Sequence, residues 1–314
     1  MTLLARLGLG TVQFGMAYGV SNLHGRPAES DVVATLQQAV SRGIEYIDTS
    51  PAYGDAEVML GRHLPKNHPF RVVTKLPRIL ADTIEPCHAR ALLDGVERSI
   101  DRLQTSSLYG LLVHHSPDLR KPGWERVVEV LTQAQARGWV KRIGASIYDA
   151  DQLTMVERAF RPDLVQLPLN VLDRRLLASG TIARLKTEGI EIHTRSAFLQ
   201  GLLLMDPADL PEFFQPARQR ISDLHHAWNK RGLKPLAACL AFVLQQPEVD
   251  AVIVGVNQPT EFSEIADAIE GIGDVAIAVD DGPSLDSHFL DPSQWPVLSH
   301  QETSMRGDAS VRGR

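Results

Sequence analysis

The sequence predicts a single (β/α)8 barrel, and three observations carry that expectation. Short β-branched runs alternate along most of the chain with longer segments whose apolar residues recur at helical spacing, the pattern of a parallel sheet. The runs number eight. No Gly-x-Gly-x-x-Gly follows the first of them, which favours a closed barrel over an open dinucleotide-binding sheet. The strand candidates, in order, are Leu7 to Gly10, Tyr46 to Thr49, Arg71 to Lys75, Leu108 to His114, Arg142 to Ser146, Leu164 to Leu167, Glu191 to Arg195 and Ala251 to Gly255. Between them, Ala89 to Leu103 sets Leu92, Leu93, Val96, Ile100 and Leu103 on one helical stripe, and Glu125 to Ala136 does so with Val127, Val130, Leu131 and Ala134. Three helical segments stop at Gly43, Gly138 and Gly189, each shortly before a strand, as a glycine just past a helix end allows. The barrel is expected over residues 1–297, with 298–314 a flexible C-terminal tail that lacks periodicity.

Composition narrows the function. With 314 residues, 44% hydrophobic and 22% charged, the chain matches one globular barrel. A net charge of −6 and the lack of any Lys/Arg cluster argue against nucleic acid or an anionic membrane as partner. The two cysteines, Cys87 and Cys239, suggest neither a disulfide framework nor a zinc site. No stretch reads as a signal peptide or membrane span, so a cytoplasmic enzyme acting on a small molecule is expected, its oligomeric state open.

In such a barrel, catalytic groups project from the C-terminal ends of the strands. Asp48 ends the second strand, Tyr53 follows it, Lys75 ends the third and His114 the fourth. A lysine at the end of an apolar strand needs a compensating charge, which Asp48 on the neighbouring strand can supply. A cation near a phenol lowers the tyrosine pKa from about 10 toward a value suited to proton transfer. A histidine beside it can donate a hydrogen bond to a carbonyl oxygen as hydride reaches the carbon. Taken alone, Asp48 and Lys75 read equally well as a structural ion pair, and Tyr53 as a partly buried loop ring. Their order and their common rim make carbonyl reduction the better reading.

Gly10-Thr11, the run Ile47-Asp48-Thr49-Ser50-Pro51-Ala52-Tyr53-Gly54, Thr74-Lys75 and Leu112-Val113-His114 together resemble the motifs of the aldo-keto reductase family, in the same order. The resemblance implies a nicotinamide-dependent oxidoreductase in which Tyr53 is the proton donor, Lys75 and Asp48 tune it, and His114 orients the carbonyl. It implies NADPH or NADH as cofactor and no metal. Gly10 and Thr11 would border the cofactor, Ser146 and Gln166 would hold its carboxamide, and Arg195, Ser196, Phe198, Gln200 and Gly201 would follow the pyrophosphate. Gly255, Asn257 and Glu261 would surround the adenosine ribose.

Departures from the family pattern fall in the cofactor cradle. Ile147 stands where the family usually has asparagine, leaving one amide contact to be supplied elsewhere, with Asn170 as a candidate. Arg195 replaces a common aromatic, and its planar guanidinium can stack in that place or bind phosphate. From Gly255 to Glu261 no cation is present, and Glu261 suits a free ribose hydroxyl better than a 2′-phosphate, so NADH should serve at least as well as NADPH. Val12 and His115 replace tryptophans of many relatives, giving a more polar pocket in which Tyr18, Phe14 and Trp295 are wall candidates and a sugar-like carbonyl is the expected substrate.

Two other functions compete. One is a cofactor-binding regulatory subunit, against which the intact tetrad argues. The other is a metal-dependent hydrolase, but adjacent His114 and His115 point to opposite faces and cannot easily share an ion. His225 and His226 read as an exposed helical pair and Cys239 as a small core residue.

Overall fold

The computed structural model describes residues 2–22, 24–65, 68–272, 277 and 285–296. The expected tail at 298–314 lies outside them. Eight parallel strands close in chain order, with β8 returning to pair with β1. They are β1 (Leu7–Gly10), β2 (Tyr46–Asp48), β3 (Arg71–Leu76), β4 (Leu108–Val113), β5 (Val140–Ser146), β6 (Leu164–Pro168), β7 (Glu191–Arg195) and β8 (Ala251–Gly255). Every expected strand is present, with ends moved by two residues or fewer.

An outer ring of helices covers the strands: α1 (Glu29–Ser41), α2 (Ala56–His63), α3 (Pro86–Leu103), α4 (Glu125–Ala136), α5 (Ala150–Ala159), α6 (Thr181–Thr187), α7 (Arg218–Asn229), α8 (Pro235–Leu244) and α9 (Pro259–Glu270). On α4 the stripe Val127, Val130, Leu131 and Ala134 is buried, as its spacing requires. Gly43, Gly138 and Gly189 all have positive φ, between +71° and +76°, the left-handed geometry in which a glycine ends a helix without a Cβ penalty.

The core has two parts. The larger lies between strands and helices, and smaller clusters fill the barrel interior, among them Tyr46, Ala251 and Ile253, and Val73, Leu112 and Leu164. This division decides where the chemistry points. Side chains two apart on a strand share a face. Asp48 follows Tyr46, Lys75 follows Val73, His114 follows Leu112 and Gln166 follows Leu164, so all four turn toward the barrel axis at its C-terminal end.

The opposite end is closed by a polar plug. Glu191 accepts from Tyr109 Oη at 2.6 Å, contacts His193 Nε2 at 2.9 Å and pairs with Arg142 at 2.9 Å. Burial alone would raise the Glu191 pKa, but His193, Tyr109 and Arg142 outweigh it and hold the carboxyl at about 2. None of Glu191, Tyr109, His193 and Arg142 lines the cavity at the other end.

Candidate active site

A cavity of about 1610 Å³ opens at the C-terminal ends of the strands. Such a volume exceeds the roughly 300–1,000 Å³ of an ordinary small-molecule pocket and leaves room for a dinucleotide together with a substrate. Asp48, Tyr53 and His114 line it, as do Gly10, Thr11, Ser146, Gln166, Arg195, Ser196, Phe198, Gln200, Gly201, Gly255, Asn257, Glu261, Tyr18 and His115. Lys75, the fourth member of the nominated catalytic set, is not on its wall. It is buried directly behind, its side chain 1% exposed.

Lys75 Nζ donates to Asp48 Oδ1 at 2.8 Å, to Asp48 Oδ2 at 2.7 Å and to Thr49 O at 3.0 Å. An ammonium has three protons, and all are now assigned. Asp48 also accepts from Gln166 Nε2 at 2.7 Å, which completes a buried network across β2, β3 and β6. Burial lowers the Lys75 pKa, and the neighbouring Asp48 carboxylate offsets part of that fall.

Tyr53 reaches the mouth on a loop fixed by close backbone packing. A Cβ on Gly15 would lie 1.6 Å from Tyr53 O, and one on Gly54 would lie 2.4 Å from Gly15 O. Gly54 also has φ +54°, so glycine is required at both positions. The Tyr53 ring stands edge-on to His114 at 5.8 Å and lies 5.0 Å from Lys75 Nζ.

One sequence expectation is corrected here. Lys75 was expected to pull the Tyr53 pKa below its ordinary value, but burial pushes it well above 10, and the Asp48 charge raises it further. Lys75 is neutralised by Asp48 and has no proton left for the phenol. The cation that opposes the rise is Arg195. The Tyr53 phenol therefore stays protonated throughout the neutral range.

His114 shifts the other way. Burial lowers its pKa to about 3, with Lys75 and Arg195 adding to the fall, so the ring is neutral at physiological pH. Ser50 Oγ accepts the Ala52 amide at 3.1 Å and lies 3.4 Å from His114 Nδ1. The unfolded chain protonates this histidine near 6.5, whereas the folded chain does so only near 3. Its neutral burial thus costs nothing above about pH 6.5 and costs progressively more stability as pH falls through that window. In turnover, kcat for the reductive direction should stay flat from about pH 5 to 9, because neither Tyr53 nor His114 titrates there. A break near 6.5 in a kcat profile would contradict the His114 assignment.

Several expectations at the margins are revised. Asn170 is fully buried and closes a turn, its Oδ1 accepting from Leu172 and Asp173 amides at 2.9 Å while its Nδ2 donates to Ser196 O at 3.1 Å, so it cannot replace the missing amide contact. Phe14 belongs to the core, and Trp295 packs edge-on against Phe214 at 4.7 Å; neither lines the cavity. His225 is half-buried and contacts Leu203 O at 2.9 Å, so the pair 225–226 is not uniformly exposed.

Other lining residues were not anticipated. Tyr148 lies under the Arg195 guanidinium, 4.0 Å from Cζ to ring centroid. Gln152 and Arg78 border the same region, and Lys234 enters from the turn before α8. Lys234 matters because residues 255–261 lack a cation, whereas the folded cavity gains Lys234 besides Arg78 and Arg195. Glu261, meanwhile, is partly committed, its Oε2 accepting the Asn257 amide at 2.7 Å.

The lining of the cavity fits a nicotinamide dinucleotide. Gln13 Oε1 and Asn257 Oδ1 are buried polar atoms with no partner among the described residues, and both residues line the wall. A Cβ on Gly255 would strike Gln13 Oε1 at 2.3 Å, so this glycine keeps the wall open beside that acceptor. Ser196, Leu199, Gln200 and Gly201 all have positive φ, which folds the β7 loop tightly along one side of the cavity.

The sequence profile of the Aldo/keto reductase family matches residues 6–271, from just before β1 to just past α9. The chain belongs to this family. L-galactose dehydrogenase from Arabidopsis thaliana is 26% identical, over 94% of this chain and 96% of its own length. D-threo-aldose 1-dehydrogenase from a Pseudomonas species is also 26% identical, over 84% and 90%. Among solved structures, an aldo/keto reductase from Klebsiella pneumoniae in complex with NADP and acetate superposes with a TM-score of 0.62 at 22% identity, covering 87% of each chain. As a member of this family the chain is an oxidoreductase with the family's barrel fold. No helix among the described residues is long and apolar enough to cross a membrane.

Proposed function

We propose that this enzyme reduces the carbonyl of a small, hydroxylated, sugar-like aldehyde or ketone to the alcohol, in the cytoplasm, with Tyr53 as the acid and reduced nicotinamide as the donor. The observation that carries this reading is the meeting of Tyr53 and His114 on the wall of the large cavity, one ring edge-on to the other with centroids 5.8 Å apart, in front of a buried Lys75–Asp48 pair at 2.7 Å. The coenzyme, when bound, supplies a hydride to the carbonyl carbon. Negative charge then builds on the oxygen, and His114 stabilises it through its ring N–H, being neutral and so able to donate without becoming charged. Tyr53 delivers its phenolic proton to the same oxygen, which completes the alcohol. Its elevated pKa suits this direction, since the acid is fully loaded before each turnover. Asp48 and Lys75 act as a matched pair that holds Gln166 and the Thr49 carbonyl, keeping the floor of the site rigid.

Ser146 and Gln166 are the groups for the carboxamide, while Gly255, Asn257, Glu261 and Lys234 surround the far end. A sugar-like substrate is supported by the polar mouth, where His115, Gln152, Arg78 and Tyr148 replace a flat apolar wall, and by two relatives that are named as sugar dehydrogenases. The test is a panel of aldoses, hydroxyaldehydes and apolar ketones with each coenzyme, followed at the nicotinamide absorbance. Hydroxylated carbonyls should give the higher kcat/KM, and activity restricted to apolar ketones would overturn the substrate class.

Glu261 should make NADH at least as good a donor as NADPH. Glu261→Arg is then expected to raise the NADPH:NADH ratio of kcat/KM about tenfold, through a new charge-assisted contact to the 2′-phosphate. An unchanged ratio would show that Glu261 does not face the ribose.

A further inference from the structure

Arg195 is the one charge at the reaction centre that the proposed chemistry leaves unbalanced. Asp48 and Lys75 neutralise one another, and His114 is neutral. Among the described residues no carboxylate lies within ion-pair distance of Arg195. Its guanidinium is nevertheless well fixed. One face rests on Tyr148, Nη2 donates to Ile147 O at 3.1 Å, and Nη1 donates to Ser196 Oγ at 3.4 Å. These contacts tie it to the segments that follow β5 and β7, both of which border the cavity. It lies close enough to Tyr53, Lys75, His114 and Tyr18 to bias the ionisation of all four. A fixed cation without a counterion, half-buried and facing a catalytic acid, raises the question of what charge it is meant to meet.

The nicotinamide reading supplies an answer, and the inference rests on that reading. Hydride transfer needs the carbonyl carbon against the ring while the carbonyl oxygen meets Tyr53 and His114, so the ring must occupy the part of the cavity that Arg195 also lines. The ring is uncharged when reduced and carries a positive charge when oxidised, with almost the same shape. A neighbouring guanidinium tolerates the first and repels the second. We propose that Arg195 makes the site selective for the reduced coenzyme, weakening the oxidised form and thereby biasing the enzyme toward carbonyl reduction. The balance is simple: a hydride leaves the reduced ring for the carbonyl carbon, Tyr53 gives a proton to the oxygen, and the ring left behind gains the charge that Arg195 repels. Oxidised coenzyme is then expelled readily and the reverse reaction is disfavoured.

The experiment is equilibrium binding rather than turnover. NADH, NAD⁺, NADPH and NADP⁺ are titrated separately into wild type, Arg195→Gln and Arg195→Lys, with quenching of tryptophan fluorescence as the readout and thermal melting as the check on folding. In wild type the oxidised forms should bind about tenfold more weakly than the reduced forms, a size that two unit charges about 5 Å apart at an effective dielectric of about 20 readily supply. Arg195→Gln should bring the oxidised:reduced Kd ratio close to one, mainly by tightening the oxidised form. Arg195→Lys keeps the charge and loses the planar stack, so it should preserve the ratio even where both affinities fall.

An unchanged ratio in Arg195→Gln, or an equal loss of both forms, would overturn the proposal and leave Arg195 as a packing platform or a site for an anionic substrate. Should the glutamine variant fail to fold, wild type still decides, because tighter or equal binding of the oxidised forms contradicts the inference outright. Absence of any nicotinamide binding by wild type would instead remove the proposed function itself, a distinguishable result.

Discussion

Lys75→Met should lower stability by about 3–5 kcal/mol and stop turnover, because removing one partner of a buried ion pair strands the other. Asp48 would keep only the Gln166 amide, and Thr49 O would lose its donor, in a pocket where the Asp48 side chain is 8% exposed. Urea unfolding of wild type and variant would measure the loss, and a change within about 1 kcal/mol would mean the pair is better solvated than its burial implies. The double variant Lys75→Met/Asp48→Leu separates structure from chemistry. Replacing both charges with apolar groups should restore much of the stability, since buried pairs are often no better than a hydrophobic substitute, while turnover stays lost. If the double variant regained activity, the pair would have no part in the reaction.

How much of this was legible in the sequence depends on whether the deciding force was periodic or local. The strands were legible because hydrophobic runs and turn glycines set their spacing, and the inward direction of Asp48, Lys75 and His114 follows from counting in twos along β2, β3 and β4. The coupling of Tyr53 to Lys75 was misjudged. Proximity of a cation to a phenol was visible in the pattern, but its cancellation by Asp48 is a matter of which three acceptors the ammonium finds, and that is fixed only in three dimensions. A proton count on Lys75 could have raised the question.

Asn170 was misread for a related reason. The segment Asn170-Val171-Leu172-Asp173 has the spacing of a side-chain-capped turn, and its asparagine spends its oxygen on the backbone two and three residues ahead. Tyr148 was in plain view one residue past Ile147, yet only the stack with Arg195 gives it a role. Lys234 was hidden by distance along the chain, since it joins the cavity wall from the turn before α8 rather than from β8. Gly15 carries no chemical signature at all; its importance is the space it leaves for Tyr53 O.

The central claim is that Tyr53 is the acid. Tyr53→Phe keeps the ring, and with it the contacts to His114 at 5.8 Å and Lys75 at 5.0 Å, and deletes only the proton. Loss of positioned acid catalysis is worth on the order of 10² or more in rate. Coenzyme affinity should be untouched, because the phenol oxygen serves the carbonyl. The most direct measurement is a single turnover: enzyme preloaded with reduced nicotinamide is mixed rapidly with an aldehyde that wild type accepts, and coenzyme oxidation is followed by absorbance. The account predicts rapid oxidation in wild type and a rate lower by about 10² or more in Tyr53→Phe at unchanged coenzyme Kd; equal rates in the two proteins would contradict it.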